Sequence, residues 1–443
     1  MKTAIADVTR SLAMQERARA SIPGVTQLLS KRPDQFSAGV WPGYFERAAG
    51  SQVWDLDGNV YRDMSISGIG ANVLGYADAE VDAAVIEAIQ RGVSSSLNCP
   101  EEVELAELLT DIHPWATNAR FARTGGEAMT LAVRLARATT GRDLVAICGY
   151  HGWHDWYLAA NLGDLDALDG QLLPGLDPAG VPRSLKDSAL TFRYNRLDQI
   201  QAIVAEHGSR LAAIVMEPQR DAPPAEDFLS GCRELASQSG ALLIFDEISS
   251  GLRINTGGIH LTFGVEPDVA VFSKALGNGY AIAAVIGIHA VMQAAQKTFI
   301  SSTNWTERVG PVAALATLRK HARVDAGARL NQLGLDVQAG WRAAAADAGL
   351  PIQVGGMPPL SKFGFDAGDP LEMKALFVQE MLDRGFLAST LYYAMYAHTD
   401  EDVALYLEAV ADVFGEMKQL VESNGVRSAL RGAPSVAGFA RLS

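Results

Sequence analysis

Five polar residues follow the carboxyl ends of short apolar runs, which is where ligands of open parallel sheets bind. They are Tyr150 and His151 (after LVAIC), Glu217 (after LAAIVM), Asp246 (after ALLIF) and Lys274 (one residue after VAVF). If these runs form neighbouring parallel strands, the five side chains lie close together in one crevice. Lysine is seldom found next to a buried strand unless it has a charged partner or a functional role. The pattern therefore indicates a functional site.

These residue types suit a carbonyl cofactor that an amine holds covalently. The amine of Lys274 can condense with an aldehyde, and it can exchange protons once its pKa is depressed. An acid such as Asp246 keeps a pyridine nitrogen protonated, which makes the ring an electron sink, and an aromatic residue such as Tyr150 can stack on the ring. A turn, a solvated surface or ordinary packing explains each residue alone, so the interpretation depends on the joint arrangement.

A glycine-rich turn completes this constellation. Arg123-Thr124-Gly125-Gly126-Glu127 precedes an amphipathic pattern that predicts a helix over 129–139. Free backbone N–H groups at a helix N-terminus favour an anion, although two glycines can also serve backbone geometry alone. Together with the lysine, the acid and the aromatic residue, the turn predicts a site for pyridoxal 5'-phosphate (PLP).

The elements that position these residues predict an α/β domain. Between Asp143 and Ile288, amphipathic helical segments such as 227–239 alternate with apolar runs typical of strands buried on both faces of a parallel sheet. The runs are Leu144–Cys148, Leu211–Met216, Ala241–Phe245, Val269–Phe272 and Ala281–Ile288. This alternation predicts a doubly wound, mostly parallel sheet.

Both ends of the chain predict a second, smaller α+β domain. The stretch VWDLDGNVYRDM carries Asp57-Gly58 between two strand-like runs and indicates a hairpin. Strand-like pieces occur near 351–365, and a last helix is expected from about 400 to 424. We therefore predict an N-terminal segment 1–75 that contributes to the small domain, a large cofactor-binding domain 76–322 and a C-terminal small domain 323–443.

Composition argues against several classes of protein. The 443 residues include 37 Lys and Arg against 51 Asp and Glu, and this acidic balance disfavours nucleic acid or an anionic membrane as a partner. The three cysteines have no metal-ligand spacing and His151 and His154 lack further ligands nearby, so no metal is expected. With no signal-peptide pattern and no apolar run of ~20 residues, we expect a cytoplasmic protein.

The motifs resemble, in order along the chain, those of the class III (ω-type) PLP-dependent aminotransferases, and most closely the branch that includes glutamate-1-semialdehyde aminomutase. The resemblance covers nearly the whole chain. It rests on GSQVWDLDGNVYRDM, RTGGEAMTLAVRLARATTGRD, GYHGWHDW, LLIFDEISSGLR, PDVAVFSKALGNGY and AHTDEDV. It implies fold type I (aspartate-aminotransferase-like) of the PLP-dependent transferases, with a large doubly wound, mostly parallel sheet domain and a smaller α+β domain.

The resemblance also implies the catalytic roles. Lys274 holds the cofactor as a Schiff base and later moves a proton between substrate and cofactor. Asp246 pairs with the pyridine nitrogen, and Tyr150 and Ile248 pack on opposite faces of the ring.

Further residues are implied to bind the cofactor. Gly125 and Gly126 offer backbone N–H groups to the phosphate, and His151 orients its neighbour in sequence, the stacking tyrosine. Glu217 and Gln219 lie near the hydroxyl edge of the ring.

A threonine of the partner subunit reaches the phosphate in this family. An alignment without gaps puts it at Thr306, and Ser302 and Thr303 are near enough to compete for the role. Such an inter-subunit active site implies an obligate homodimer.

The substrate pocket departs from the aminomutase pattern. Arg123-Thr124 stands where the family usually has Asn-Ser, and Ile69 where the aminomutase has a pocket tryptophan. The aminomutase's carboxylate-binding arginine corresponds to Arg32. Aromatic residues that are candidates for a pocket wall, although such residues more often pack in cores, are Trp41, Trp153, Trp156, Tyr392 and Tyr393.

We therefore predict a PLP-dependent aminotransferase. An amino-acid donor would give its amino group to an aldehyde or ketone acceptor, such as a keto sugar or a semialdehyde, in ping-pong order. The main alternative is an intramolecular aminomutase, in which amine and carbonyl belong to one molecule. A racemase that uses Lys274 is a third candidate function. A catalytically silent binding protein is disfavoured because Lys274, Asp246 and Tyr150 are all intact.

Overall fold

The chain forms two compact units in the computed structural model, which describes residues 7–171 and 173–438. One unit comprises Met1–Asp78 and Ala328–Ser443, and the other comprises Ala79–Gly327. Residues 1–6 and 439–443 of the predicted segments 1–75 and 323–443 lie outside the described residues.

Helices occur along the whole of the described chain, and some of them begin with a side-chain cap. Thr124 and Thr399 each form a capping box with the residue three positions on, at the starts of the helices named α5 and α13 below. The helices are α1 (Thr9–Ser21), α2 (Ser67–Gly70), α3 (Ala79–Gln90), α4 (Glu101–Ile112), α5 (Gly125–Thr140), α6 (Asp155–Leu158), α7 (Leu197–His207), α8 (Phe228–Ser239), α9 (His289–Met292), α10 (Val309–Arg323), α11 (Ala326–Ala348), α12 (Pro370–Leu382), α13 (Asp400–Glu422) and α14 (Val426–Ala429).

The strands of the described residues belong to three sheets, of which the largest lies in Ala79–Gly327. They are β1 (Phe45–Ala49), β2 (Gln52–Asp55), β3 (Val60–Met64), β4 (Asn118–Ala122), β5 (Leu144–Cys148), β6 (Ala189–Thr191), β7 (Leu211–Met216), β8 (Leu242–Asp246), β9 (Val269–Phe272), β10 (Ala283–Gly287), β11 (Ile352–Gly355), β12 (Leu360–Phe365), β13 (Phe386–Ala388) and β14 (Leu391–Tyr393).

The large sheet has the strand order β4-β10-β9-β8-β7-β5-β6. The five strands β6, β5, β7, β8 and β9 pair in parallel, whereas β10 is antiparallel to both of its neighbours, β9 and β4. It follows that β4 runs in the same direction as the parallel strands. The carboxyl ends of β4, β5, β7, β8 and β9 therefore share one edge of the sheet.

Helices cover both faces of this sheet, as a doubly wound domain requires. Apolar residues of α5, among them Met129 and Val133, pack with one set of strand side chains. Phe228 and Cys232 of α8 pack with the opposite set. Every residue of β5, β7 and β9 is consequently buried, which explains their unbroken apolar sequences. The predicted α/β class with a large, mostly parallel sheet is confirmed.

One strand differs from the expectation. The apolar run 281–288 is expected to form a parallel strand and instead forms antiparallel β10. All five residues of β10 are buried. Since burial on both faces produces an apolar run whichever way a strand points, direction could not be inferred. Strand β4 (NARFA) was not expected, because this edge strand is only partly buried and carries Asn118 and Arg120.

The unit built from both chain ends contains the two smaller sheets, β1-β2-β3-β13 and β11-β12-β14. The hairpin predicted at Asp57-Gly58 is formed by β2 and β3, with Trp54 opposite Val60. The Asp57 carboxylate also accepts the backbone N–H groups of Arg10 and Ser11, at 2.6 and 2.9 Å, in the first turn of α1. The turn itself is held by Asp55, whose Oδ1 accepts the backbone N–H groups of Asp57 and Asn59, both at 2.9 Å.

The part of the chain that the structure describes has no helix that is long and apolar enough to cross a bilayer. Within the same residues, no three His, Cys, Asp or Glu side chains cluster as a metal site would require. Cys99, Cys148 and Cys232 are free thiols.

Candidate active site

The carboxyl edge of the large sheet brings together the polar residues that follow β5, β7 and β8. His151 Nδ1 lies 2.8 Å from Asp246 Oδ2, and the backbone N–H of Tyr150 donates to Glu217 Oε2 at 3.1 Å. Three strands that are far apart in sequence therefore deliver their side chains to one place, as parallel topology requires.

Lys274 joins this group from β9 through a strained backbone. Its φ is +43°, in the left-handed region that non-glycine residues rarely adopt. The half-buried side chain donates a hydrogen bond from Nζ to Ser249 Oγ at 2.6 Å. Burial, followed by the charge of Arg220, lowers the pKa of Lys274 to about 8, although Glu217 and Asp246 act in the opposite direction. A larger fraction of the amine is then neutral at pH 7 than for an ordinary lysine.

Asp246, the last residue of β8, is buried and held by two N–H donors. Its Oδ2 accepts from His151, and its Oδ1 accepts from the backbone N–H of Ile248 at 3.0 Å. The imidazole of His151 is itself buried and stacks on Trp156 with ring centroids 6.2 Å apart. Nε2 of His151 has no hydrogen-bond partner among the described residues. These contacts fix the orientation of the Asp246 carboxylate at the end of its strand.

Glu217 and Arg220 form an ion pair beside Lys274. Arg220 Nη2 lies 3.0 Å from Glu217 Oε1 and also donates to Ser249 Oγ at 3.0 Å. Burial raises the pKa of Glu217, and the charge of Arg220 opposes that rise. Ser249 Oγ consequently accepts hydrogen bonds from two cations, Lys274 and Arg220.

The glycine turn predicted to bind phosphate is the N-terminus of α5. The capping box joins Thr124 and Glu127 in both directions, with the Thr124 N–H donating to Glu127 Oε2 at 2.9 Å. The N–H groups of Gly125 and Gly126 belong to the first turn, where no preceding helical carbonyl can accept them. A Cβ atom at Gly125 would come within 2.8 Å of Ile248 Cδ1, so glycine keeps this approach open.

Tyr150, Ile248 and Gln219 surround the same edge of the sheet. Tyr150 and Ile248 are half-buried and pack on the core cluster that contains α5. The ring of Tyr150 meets Tyr157 edge-on, with centroids 5.9 Å apart. Gln219 is buried in the segment that follows β7, two residues after Glu217. A ring-shaped ligand at this edge would find an aromatic and an aliphatic surface.

Thr306 lies on the surface of the described chain, at the end of a short 3-10 turn. Arg123 ties this loop to the glycine turn. Its Nη2 donates to the carbonyl oxygens of Trp305 and Glu307 at 3.0 and 2.8 Å, and its Nε lies 2.9 Å from the Glu307 carboxylate. Arg123, which stands where the family usually has asparagine, therefore connects the glycine turn to the loop that carries Thr306.

The two residues proposed to meet the substrate, Arg32 and Trp41, lie in the unit that contains both chain ends and are engaged there. Arg32 is buried and forms a two-pronged ion pair with Asp34. Trp41 is 8% exposed and stacks on Phe36 with ring centroids 4.1 Å apart. An internal ion pair and core packing explain these two side chains, and their contact with substrate stays a prediction. Tyr392, another candidate for a pocket wall, is fully buried.

Two residues of the site were missed from the sequence, Arg220 and Ser249. Each follows closely on a residue that was singled out, Glu217 and Asp246 respectively. Proximity in sequence was the one available signal, because a lone arginine or serine after a strand is common in any turn. Their significance comes from the hydrogen bonds they make with each other and with Lys274.

Residues 37–413 match the family model described as aminotransferase class-III. The match covers most of the chain, so the protein belongs to the class-III aminotransferases, and the resemblance noted in the sequence is confirmed. It is an enzyme that uses PLP to transfer amino groups.

Relatives of known name agree with this assignment. The chain is 33% identical over 431 residues to a 3-aminobutyryl-CoA aminotransferase of Cloacimonas acidaminovorans, covering 94% of this chain and 99% of that protein. It is also 33% identical over 441 residues to a glutamate-1-semialdehyde 2,1-aminomutase of Chloroflexus aggregans, covering 92% and 98%.

A solved structure matches the fold. The PLP internal aldimine form of the FumI protein of Sphingopyxis sp. MTA144 superimposes with a TM-score of 0.84 at 26% sequence identity. The match covers 96% of this chain and 99% of that one. The fold is accordingly that of the fold type I PLP-dependent transferases.

The residues at the sheet edge fit this cofactor chemically. A lysine amine of lowered pKa stands ready for the aldehyde, and the buried carboxylate of Asp246 suits a cationic ring nitrogen. The N–H groups of Gly125 and Gly126 suit the phosphate, and a side chain at Gly125 would close the cradle.

Proposed function

We propose that Lys274 is the covalent attachment point of PLP and that the enzyme moves an amino group from an amino-acid donor to an aldehyde or ketone acceptor. The observation that carries the proposal is the Lys274 amine, whose pKa is lowered to about 8 beside two carboxylates at the carboxyl edge of the sheet. An amine of this kind is sufficiently neutral near pH 7 to attack a carbonyl carbon and to exchange protons.

The bound cofactor supplies an electron sink for the electron pair left at the substrate Cα. Lys274 holds the cofactor and, when released from it, removes and returns the proton at that carbon. Asp246, kept in place by His151 and by the N–H of Ile248, pairs with the ring nitrogen and keeps a proton there.

Binding and orientation fall to the residues around these two. Gly125 and Gly126 donate backbone N–H groups to the phosphate at the start of α5, where the helix dipole also favours negative charge. Tyr150 and Ile248 cover the two ring faces and keep water from them. Glu217 and Gln219 lie on the side of the hydroxyl edge.

An amino donor and a carbonyl acceptor would use the same site in turn, which gives ping-pong kinetics. The similarity to a 3-aminobutyryl-CoA aminotransferase makes β-amino compounds worth including among the donors. Acceptors to be tested include a semialdehyde and a keto sugar. The burial of Trp41 and Tyr392 weakens the argument for a sugar, because it removes two members of the expected aromatic wall.

An intramolecular aminomutase is the second candidate, and the similarity to a glutamate-1-semialdehyde 2,1-aminomutase favours it. The two reactions differ in what leaves the enzyme. A transaminase releases the keto acid of the donor before the acceptor binds, whereas an aminomutase releases no separate keto acid.

A homodimer is part of the proposal, with Thr306 reaching the phosphate of the partner subunit. Large apolar side chains exposed on the unit Ala79–Gly327 support it, namely those of Leu97 (83% exposed) and Phe299 (84% exposed). Beside Phe299 lies a cavity of about 260 Å³ that is also lined by Trp305 and His154. Covering such a surface favours association. Light scattering of the purified enzyme should give twice the mass of one chain.

A cytoplasmic location is also proposed. Three free thiols, two of them buried, agree with a reducing compartment.

The proposed function is tested by the visible spectrum of the purified enzyme during titration with amino acids, β-amino acids and simple amines, with Lys274→Ala as the control. We expect one donor to bleach the absorption of the bound cofactor and to release one equivalent of the matching carbonyl product, a keto acid from an amino acid or an aldehyde or ketone from a simple amine. Bleaching without a free carbonyl product would favour the aminomutase. A wild-type enzyme that shows no visible cofactor absorption after addition of PLP would contradict the proposal.

A further inference from the structure

We propose that Arg220, acting through Ser249, sets the position and the protonation state of the Lys274 amine. Arg220 is then a positioning residue of the aminotransferase reaction. The inference rests on the proposed function, since it takes Lys274 as the residue that holds the cofactor. It goes beyond that function in assigning a role to Arg220 and Ser249, neither of which was given a role from the sequence.

The contacts form a continuous path from Lys274 to Glu217. Nζ of Lys274 donates to Ser249 Oγ at 2.6 Å, and Nη2 of Arg220 donates to the same oxygen at 3.0 Å. Arg220 is in turn held by Glu217 at 3.0 Å. The lysine therefore cannot turn away from the ring position without giving up its hydrogen bond to an oxygen that Arg220 also binds.

Ser249 is anchored from a second side as well. Its backbone carbonyl accepts from Arg253 Nε at 3.0 Å, and Arg253 is almost fully buried. Two guanidinium groups thus bind one serine, one at the hydroxyl and one at the carbonyl oxygen. A serine fixed in this way is a rigid support for the amine that it contacts.

The charges that face Lys274 come from two segments at the sheet edge, one that follows β7 and one that begins with the last residue of β8. Arg220 and Arg253 disfavour the ammonium form, whereas Glu217 and Asp246 favour it. After burial, Arg220 is the largest of these influences. Removing its charge should therefore shift Lys274 towards the ammonium form. Part of the shift would be offset, because Glu217 without its cation would itself become more easily protonated.

The first experiment follows the uptake of PLP by the full-length apoenzyme as a function of pH, using the appearance of visible absorption. Only the neutral amine can attack the aldehyde, so the rate should rise with pH around the pKa of Lys274. We expect Arg220→Gln to move the midpoint to higher pH and to slow uptake at pH 7 by about three- to tenfold. Arg220→Lys, which keeps the charge, should stay close to wild type.

A second readout is the pH at which the visible absorption of the assembled holoenzyme changes. We expect the midpoint to rise in Arg220→Gln and to fall in Glu217→Gln, which removes a carboxylate that faces Lys274. Unfolding temperatures of all variants identify losses that come from misfolding. A purely structural Arg220 would lower the unfolding temperature without moving either midpoint.

Ser249→Ala keeps every charge and removes only the hydroxyl group that accepts the hydrogen bond from Lys274. It therefore tests the positioning of the amine separately from its protonation. We expect slower PLP uptake even at high pH, where the amine is neutral in all variants. This variant remains available if Arg220→Gln does not fold.

The outcomes separate this inference from the proposed function. Unchanged or lowered midpoints in Arg220→Gln, or unchanged uptake by Ser249→Ala at high pH, would overturn the inference while leaving Lys274 as the attachment point. If Lys274→Ala kept the wild-type visible absorption, the proposed function itself would fail.

Discussion

Lys274 combines two features that do not stabilise the fold. A positive φ at a non-glycine residue costs ~1–2 kcal/mol, and the lowered pKa shows that the ammonium form is disfavoured where the side chain lies. Residues that carry such costs are concentrated at functional sites, where the surrounding structure enforces them. Here the hydrogen bond to Ser249 holds the Lys274 side chain, and the turn that follows β9 holds its backbone.

The strain gives a test that does not depend on activity. Lys274→Gly and Lys274→Ala both remove the amine, but glycine alone adopts a positive φ without cost. We expect the glycine variant of the apoenzyme to be more stable than the alanine variant by about 1 kcal/mol in urea unfolding. Equal stabilities, or a more stable alanine variant, would show that the backbone at this position is not strained.

We expect activity to depend on the charge of Asp246 as well as on the amine of Lys274. Asp246→Asn keeps the shape but loses the charge proposed to hold a proton on the ring nitrogen. We expect kcat/KM for the donor half-reaction to fall by about 100-fold or more, with PLP still bound in the visible spectrum. His151→Gln should cost less, because the N–H of Ile248 still holds the carboxylate. Full activity of Asp246→Asn would refute its role.

At this scale the sequence predicted residues that end strands and missed residues that depend on loop conformation. Tyr150, Glu217 and Asp246 could be expected to meet because the ends of neighbouring parallel strands must meet. Arg220 and Ser249 lie within turns, and their contact depends on backbone angles that no motif specifies. Side-chain partners across such turns become visible once the fold is known.

Among the elements, the start of α5 and the loop 299–307 act together. Arg123 holds the loop at Trp305 and Glu307, while Arg134 holds its other end through the Phe299 carbonyl at 3.0 Å. We expect Arg123→Ala to release Thr306 and to weaken PLP binding about tenfold, since one good hydrogen bond to a charged group would be lost.

Arg134→Ala is the matched control for this loop. It removes an arginine from the same helix that begins at the glycine turn, but it loosens only the Phe299 end. PLP affinity, measured by equilibrium dialysis, should stay near that of wild type. Similar losses in the two variants would mean that the loop contributes through general stability and not through Thr306.

Strands and helices with strong local signals were predicted well. The runs 144–148, 211–216 and 269–272 are β5, β7 and β9 to the residue, because strands buried on both faces tolerate few polar side chains. The direction of β10 and the existence of β4 could not be predicted. Burial sets the composition of β10, and β4 lies at the edge of its sheet, so neither sequence shows which strand it pairs with.

For the molecule as a whole, buried neutral histidines should govern stability in mild acid. His113 accepts the Gly258 N–H at Nε2, so protonation would break that bond. His321 accepts the Thr256 hydroxyl at Nδ1, and protonation would reverse that bond, because the hydroxyl can also accept. Burial lowers the pKa of each to about 4. In the unfolded chain each would titrate near 6.5, so between pH 6.5 and 4 the unfolded state binds more protons.

It follows that the free energy of unfolding should fall as the pH falls from 6.5 towards 4. Each of the two histidines accounts for up to about 3 kcal/mol. Urea unfolding at a series of pH values measures the slope. His113→Gln and His321→Gln should be less stable at pH 7 but should flatten the dependence on pH. A stability that does not change between pH 7 and 5 would contradict this account.

The most direct test of the central claim is to identify the residue that carries the cofactor. Purified holoenzyme would be reduced with borohydride, digested and analysed by mass spectrometry. We expect the reduced cofactor on the peptide that contains Lys274 and on no other lysine, and we expect no adduct in Lys274→Ala. An adduct on another lysine, or an unmodified Lys274 in fully active enzyme, would contradict the assignment of the site.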